Sequence, residues 1–419
     1  MHDRLVELGG RGVSVRRLGG NRAGEIRLTR FLRHASVSPA EMARTAAEQT
    51  AGRCHGRHVL AIQDTTVVRS QGGGGLYLHA ALAVDAEDNA ILGLIDGRFL
   101  SRSEGKASAR RKRPIEAKES HRWLQAADRA AEVCAEAARV TVIAGREADI
   151  FEAFARCPPG ADLLIRAAHD RGLEGGQRLF GQADALGPAA CATLDLPARP
   201  GRTARLAVRF MAACLARPQH GVGVGPNGVT VNVVDVREQD PPPGTEPVHW
   251  RLLTTHPVGD AAEALAVADL YRRRWAIEQL FRTLKTQGFD IEGVRIEDEQ
   301  PRCNLVMAAL VAAVTVQQLV HARDGKPGRD GALRPVTDAF EPADAPLLEA
   351  YCAKLEGKTA RQKNPHPKGS LAYAAWVCAR LGGWTGYYGK PGPVVMLQGW
   401  LELQAAKRAI ALLSHGHDL

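Results

Sequence analysis

No two of the eight cysteines stand in a C-x-x-C pair. Residues Cys54, Cys134, Cys157, Cys191, Cys214, Cys303, Cys352 and Cys378 are widely scattered, which argues against zinc sites and against a secreted disulfide framework. Reduced, mostly buried thiols are expected. A long apolar run is also missing. The longest nearly uninterrupted one, Leu305 to Val316, falls short of the roughly 18 or more residues expected of a membrane-spanning helix and reads as a buried helix. The first residues, Met1-His2-Asp3-Arg4, lack the apolar core that a signal peptide needs. There is no internal repeat and no long low-complexity tract. Together these absences predict a cytoplasmic protein with no membrane partner.

What is present fits a globular chain. Its 419 residues suffice for two or three domains, and an apolar share of 45% is ordinary for a protein that buries a core. Lysine and arginine exceed the acids by 55 to 46, with a pI of about 9.3. That balance favours a polyanionic partner, because phosphate backbones are bound largely by counterion release to basic side chains. Charge alone leaves nucleic acid and plain solvation equally open.

Along the chain, Ser38-Pro39-Ala40-Glu41 combines a capping serine, a proline in the first turn and an acid three residues on, predicting a helix to about Ala51. His58 to Asp64 and Leu76 to Val84 read as two adjacent strands, a hairpin. Val140 to Ala144 reads as a third strand, with a helix beginning at Arg146. From about Cys157 to Trp250, short β-like runs alternate with Gly and Pro turns and form a β-rich insertion. Helical patterning resumes at Ala261 and continues to about Arg323. A second basic loop, Gly357 to Gly369, precedes the last helices.

The most informative segment is Tyr271-Arg-Arg-Arg-Trp-Ala-Ile-Glu278-Gln-Leu-Phe-Arg282-Thr-Leu-Lys285. On one regular helix, Tyr271, Arg274, Glu278, Arg282 and Lys285 share a polar arc while Leu270, Ile277, Leu280, Phe281 and Leu284 share an apolar one. The stripe is either a solvated face with i,i+4 ion pairs, worth a few tenths of a kcal/mol each, or a metal-binding carboxylate flanked by phosphate donors.

The spacing Y-x2-R-x3-E-x6-K, met by Tyr271, Arg274, Glu278 and Lys285, resembles the signature of the insertion-sequence-four family of bacterial DDE transposases, which includes the transposon five transposase. Other segments agree with that family in order: Ile62-Gln-Asp64-Thr-Thr, Lys118 to Leu124, Arg146-Glu-Ala-Asp-Ile150, Trp250 to Thr254, and Leu381-Gly-Gly-Trp384. The similarity runs from about residue 25 to the C-terminus.

The resemblance implies an α/β fold: an RNase-H-like catalytic core with a β-rich insertion, flanked by a short N-terminal helical region and a C-terminal helical domain. It implies a truncated N-terminal DNA-binding region over 1–37, the DDE domain over 38–335 with the insertion at about 157–250, and helices for dimerisation over 336–419, where Trp384 and Trp400 lie. Family members generally carry some thirty more N-terminal residues, which leaves recognition of transposon ends in question here. The implied activity is cut-and-paste transposition: phosphodiester hydrolysis and strand transfer assisted by two Mg2+ or Mn2+ ions on double-stranded DNA, transposon ends and target, by a homodimer. The implied setting is the bacterial cytoplasm, in association with the nucleoid.

By position, Asp64 takes the place of the first metal-binding acid and Glu278 that of the last, although a strand-end aspartate capping a turn is the plainer reading of Asp64. In the family an acid opens the sequence D-R-E-A-D; here the segment is Gly145-Arg146-Glu147-Ala148-Asp149. Glycine offers no carboxylate, so impaired catalysis is expected. Glu147 or Asp149 would have to swing in to rescue it.

Tyr271, Arg274 and Lys285 inherit phosphate contacts, Arg282 lies on the same stripe, and Arg166 aligns with an arginine near the cleavage hairpin. Trp250 matches a tryptophan that stacks on a flipped base, with a buried strand-end tryptophan as the alternative. The basic clusters at Lys106 to Arg113 and at Lys358, Arg361, Lys363 and Lys368 are open between phosphate tracking and solvated charge. A non-catalytic DNA-binding or dimerising inhibitor derived from a transposase is the alternative function.

Overall fold

The computed structural model describes residues 15–19, 21–69, 75–100, 113–196, 201–218, 225–294, 296–328 and 331–415. Residues 106–112 of the first basic cluster therefore lie outside the described residues. In chain order, helices α1 (Val15–Gly19), α2 (Arg22–Arg33) and α3 (Pro39–Cys54) precede strands β1 (His58–Arg69), β2 (Gly75–Asp85) and β3 (Ile91–Leu100). Then come α4 (His121–Val133), β4 (Arg139–Ala144), α5 (Phe151–Ala155), β5 (Ala161–Arg166) and α6 (Leu179–Ala185). Strands β6 (Ala190–Leu196), β7 (Arg202–Ala216), β8 (Gly228–Gln239) and β9 (His249–Thr254) fill the region read as β-rich. Six helices follow: α7 (Ala261–Arg272), α8 (Trp275–Lys285), α9 (Glu299–Ala322), α10 (Ala345–Leu355), α11 (Leu371–Leu381) and α12 (Pro393–His415).

Contacts divide the chain into two compact units. One is built from the described parts of Met1–His55, Thr65–Ser101 and Ala276–Leu419. Here α3 starts as its sequence demands, the Ser38 hydroxyl accepting the Glu41 amide at 3.2 Å. It packs on β3, which pairs antiparallel with β2 from Tyr77↔Leu100 to Val84↔Ile91. The strand signal of β3 is weak in the sequence because Gly93 and Gly97 interrupt its apolar run. The apolar run at Leu305 lies in α9, a helix of 24 residues, the one helix among the described residues long and apolar enough to cross a membrane. Of its most apolar window, 83% is buried within the structure. Helices α11 and α12 cross where a Cβ on Gly399 would overlap the Cys378 carbonyl, so only glycine permits the approach. Trp400 is buried there, edge-on to Phe340.

The other unit holds Gly56–Asp64 and the described parts of Arg102–Trp275. Its sheet runs in the order β1-β4-β5-β9-β8-β7-β6. The first three strands are parallel and the rest antiparallel. Helix α7, capped by the Asp260 carboxylate on the Glu263 amide at 2.8 Å, packs against β7 and β8. The molecule is thus mixed α/β with a large mixed sheet, consistent with an RNase-H-like transposase fold.

Candidate active site

Strand register assembles the site. β1 and β4 pair in parallel up to Gln63↔Ala144, which sets Gly145, just past the end of β4, beside Asp64. The strand-end placement of Asp64 is corrected: β1 continues to Arg69, so Asp64 lies inside the strand where its pairing with β4 stops. β4 and β5 pair up to Ala144↔Ile165, which delivers Arg166 beside them. Crevices at the carboxyl ends of parallel strands are common ligand sites in open α/β sheets, because the loops there diverge. The cleft is lined by Asp64, Trp123, Gly145, Arg146, Glu147, Arg166, Tyr271 and Arg274.

Its wall is cationic. Arg274 Nη1 donates to Asp64 Oδ2 at 2.7 Å, an ion pair whose side chains remain 20% and 26% exposed. Arg166 donates to the His249 carbonyl at 2.6 Å. Burial pushes its guanidinium below the usual value, Tyr271 opposes that shift, and the neighbouring Arg146 and Arg274 add to it. Burial likewise raises the Tyr271 phenol, against the pull of Arg274 and Arg166. Arg146 and Arg274 thus stand close enough to Arg166 to disfavour its charge.

Gly145 sits in this wall without any structural need to be glycine. Its backbone, φ −80° and ψ −167°, is ordinary extended conformation. A Cβ placed on it would meet nothing nearer than Arg274 Nη1 at 3.7 Å. An aspartate would fit there, against the same guanidinium that now holds Asp64.

The two neighbouring acids differ. Asp149 is buried, takes the amides of Ala168 and His169 at 2.7 and 3.0 Å, and pairs with Arg171 at 2.7 Å. All its acceptor capacity is committed to fixing the turn after β5, so the rescue considered for it is corrected: it is a structural carboxylate. Glu147 lines the cleft, 69% exposed, with Arg122 at 2.7 Å. The segment expected to be one helix from Arg146 is a 3-10 turn, Arg146–Ala148, and then the short α5.

The signature helix needs a second correction. It is broken between α7 and α8 at Arg273 and Arg274, whose amides reach back only three residues, to the Leu270 and Tyr271 carbonyls. The single polar arc drawn on a regular helix therefore does not exist. Tyr271, placed on that arc, is 4% exposed. Trp250, on β9, is half-buried and meets the Tyr271 ring edge-on at 5.6 Å. In the other unit, α8 carries Glu278, half-buried, and Arg282, exposed. Lys285 lies 3.8 Å from Glu292, and burial lowers its ammonium pKa while Glu292 raises it.

Residues 79–314 match the transposase DDE domain family. The chain belongs to this family of DDE transposases. The match covers Gly145, Arg166, Trp250, Tyr271, Arg274, Glu278, Arg282 and Lys285, and begins after Asp64. The family acts on DNA and typically uses a divalent metal. In this transposase no group of three or more His, Cys, Asp or Glu side chains among the described residues is arranged to hold one. In the cleft the carboxylates are Asp64 and Glu147, engaged by Arg274 and Arg122, and Gly145 adds none. The cleft does not fit a two-metal set. Sequence reasoning missed Trp123 and Arg146 as cleft residues, and Arg122 as the partner of Glu147. Trp123 and Arg122 sit in the motif Lys118 to Leu124, whose own pattern does not say which of its residues line a cleft.

Proposed function

We propose that this DDE transposase is of the cut-and-paste, insertion-sequence-four type, acting as a homodimer on double-stranded DNA at transposon ends, and that strand cleavage and transfer are impaired by Gly145. In this reading Asp64 and Glu278 are what this chain retains of the acids that in the family would hold two Mg2+ or Mn2+ ions. The set is one carboxylate short. Tyr271, Arg274, Arg166, Arg282 and Lys285 bind phosphates, and Trp250 offers its ring face to an unpaired base. The signature spacing and the ordered motifs support the type. The observation that carries the impairment is the geometry at Gly145: an unstrained backbone with room for a carboxylate beside Asp64 and Arg274, and none present.

The test is cleavage of DNA carrying the ends that flank the gene, with Mg2+ and with Mn2+, comparing the chain with Gly145→Asp. Cutting only by the Gly145→Asp variant supports the reading. Equal cutting by both would move the missing ligand to Glu147, checked with Glu147→Gln. Cutting by neither favours the second reading, a DNA-binding inhibitor derived from a transposase, for which the cationic cleft wall and the Arg274 pairing of Asp64 already speak.

A further inference from the structure

The second basic loop, left open between phosphate tracking and solvated charge, acquires a neighbour in the fold. It follows α10 and packs against the loop after α11. Arg380 of α11 donates to the Leu355 carbonyl at 3.1 Å and to the Trp384 carbonyl at 3.2 Å, tying the end of α10 to the second loop. The Trp384 indole donates to the carbonyls of Tyr388 and Gly389 at 3.3 and 3.0 Å. The hydroxyls of Thr359 and Tyr387 meet at 3.1 Å. A Cβ on Gly386, at φ +89°, would lie 2.9 Å from the Arg361 carbonyl, so the loops touch backbone to backbone. This is a braced surface.

The braced loops present two aromatic rings and three cations outward. Tyr388 is 84% exposed and Tyr387 45%. Lys358, Arg361 and Lys363 are exposed, and among the described residues none has an ion-pair partner. By contrast Lys368 pairs with Glu349 at 2.6 Å and Lys390 with Asp324 at 2.9 Å. Aromatic faces beside unpaired cations suit a strand that alternates planar bases with phosphates. Inside a paired duplex the base faces are already stacked and unreachable. An acidic peptide offers no plane to stack on.

We infer that the paired loops 357–363 and 384–389 form a contact site for single-stranded DNA, in which Tyr387 and Tyr388 stack on unpaired bases and Lys358, Arg361 and Lys363 bind the phosphates. The inference rests on DNA being the substrate of this transposase, but not on the cleft or on catalysis.

The test is fluorescence anisotropy of the full chain with a labelled oligo-dT of about 20 nucleotides and with a duplex of the same length, over a salt series. The Tyr387→Ser, Tyr388→Ser double variant should lose about 30-fold or more in affinity for the single strand and keep its duplex affinity. Tyr388→Phe, which keeps the ring, should bind as the parent does. The Lys358→Ala, Arg361→Ala, Lys363→Ala variant should flatten the single-strand salt dependence by about 2 in log–log slope. Unchanged oligo-dT binding by the serine variant overturns the proposal, as does failure of the phenylalanine variant to bind. The two readings are separated by where the variants act: Asp64→Asn should abolish any cleavage by Gly145→Asp protein, and the loop variants should lose oligo-dT affinity whether or not Gly145→Asp is present. If no variant ever cleaves DNA while the loop variants still lose oligo-dT, the loop site stands and the cut-and-paste reading falls.

Discussion

The three parallel strands β1, β4 and β5 end very differently at their two edges. At the carboxyl edge, Asp64, Gly145 and Arg166 open onto a cleft whose arginines outnumber its acids. At the amino edge, a chain of polar groups is closed on itself around the buried Thr141 and His256. Arg139 donates to His256 Nδ1, and His256 Nε2 meets the Thr141 hydroxyl at 2.9 Å, which in turn meets His58 Nε2 at 2.8 Å. Arginine can only donate, so His256 accepts at Nδ1 and is neutral. Asp162 holds Arg139 at 2.8 Å and takes the Thr255 hydroxyl at 3.0 Å, while Asn232 donates to the His256 carbonyl at 2.7 Å. One edge leaves three arginines around an open cleft. The other commits its charges to the fold, and the difference lies in burial and pairing, not in residue type.

The largest effect expected at the open edge is chemical. Gly145→Asp should raise metal-dependent cleavage of end-bearing DNA by on the order of 100-fold or more, the scale of a single well-placed charged group. Thermal unfolding should hardly change, because nothing crowds the new Cβ. Asp149 marks the contrast within the same segment. Asp149→Ala would strand the largely buried Arg171 side chain and should destabilise the protein by about 3–5 kcal/mol in a denaturant titration. A mild loss there would show that the turn after β5 does not depend on the pair.

The closed edge is sharpened by pH. Burial pushes His256 down to about 4, with Arg139 and His58 adding to the shift and Asp162 opposing it. A histidine depressed on folding contributes stability that is present above its unfolded value near 6.5 and is lost as pH falls from there toward 4. Melting temperature should therefore decline across that window, and less steeply in His256→Asn. An equal decline in both would assign the acid sensitivity elsewhere. The smallest stability effect belongs to Arg146→Ala at the cleft, within about 0.5 kcal/mol because the side chain is exposed, while its duplex-binding salt slope falls by about 1.

Much of the architecture is legible in the sequence because it is written locally. The Ser38 cap, the apolar run of β4, the turn-rich strands beyond Cys157 and the buried helix around Leu305 each follow from short-range pattern. The signature helix is legible in its residues but not in its shape. Periodicity assumes a regular helix, and the two short-range amide bonds at Arg273 and Arg274 break it, turning Tyr271 inward against Trp250. Asp149 escapes sequence reasoning for a related cause. Its partner Arg171 lies on a loop 22 residues away, and no local spacing reveals a carboxylate already committed to one guanidinium and two amides.

By itself the sequence determined which chemical groups exist: an acid at position 64, an ordered set of cations and aromatics, and a glycine at position 145 where the family it resembles carries an acid. Those are facts of residue identity and order. Tertiary structure alone decided which of them share a cleft and which are consumed by the fold. Parallel register sets Asp64 of β1 beside the ends of β4 and β5 across gaps of many residues, and burial decides which charges the fold holds in pairs.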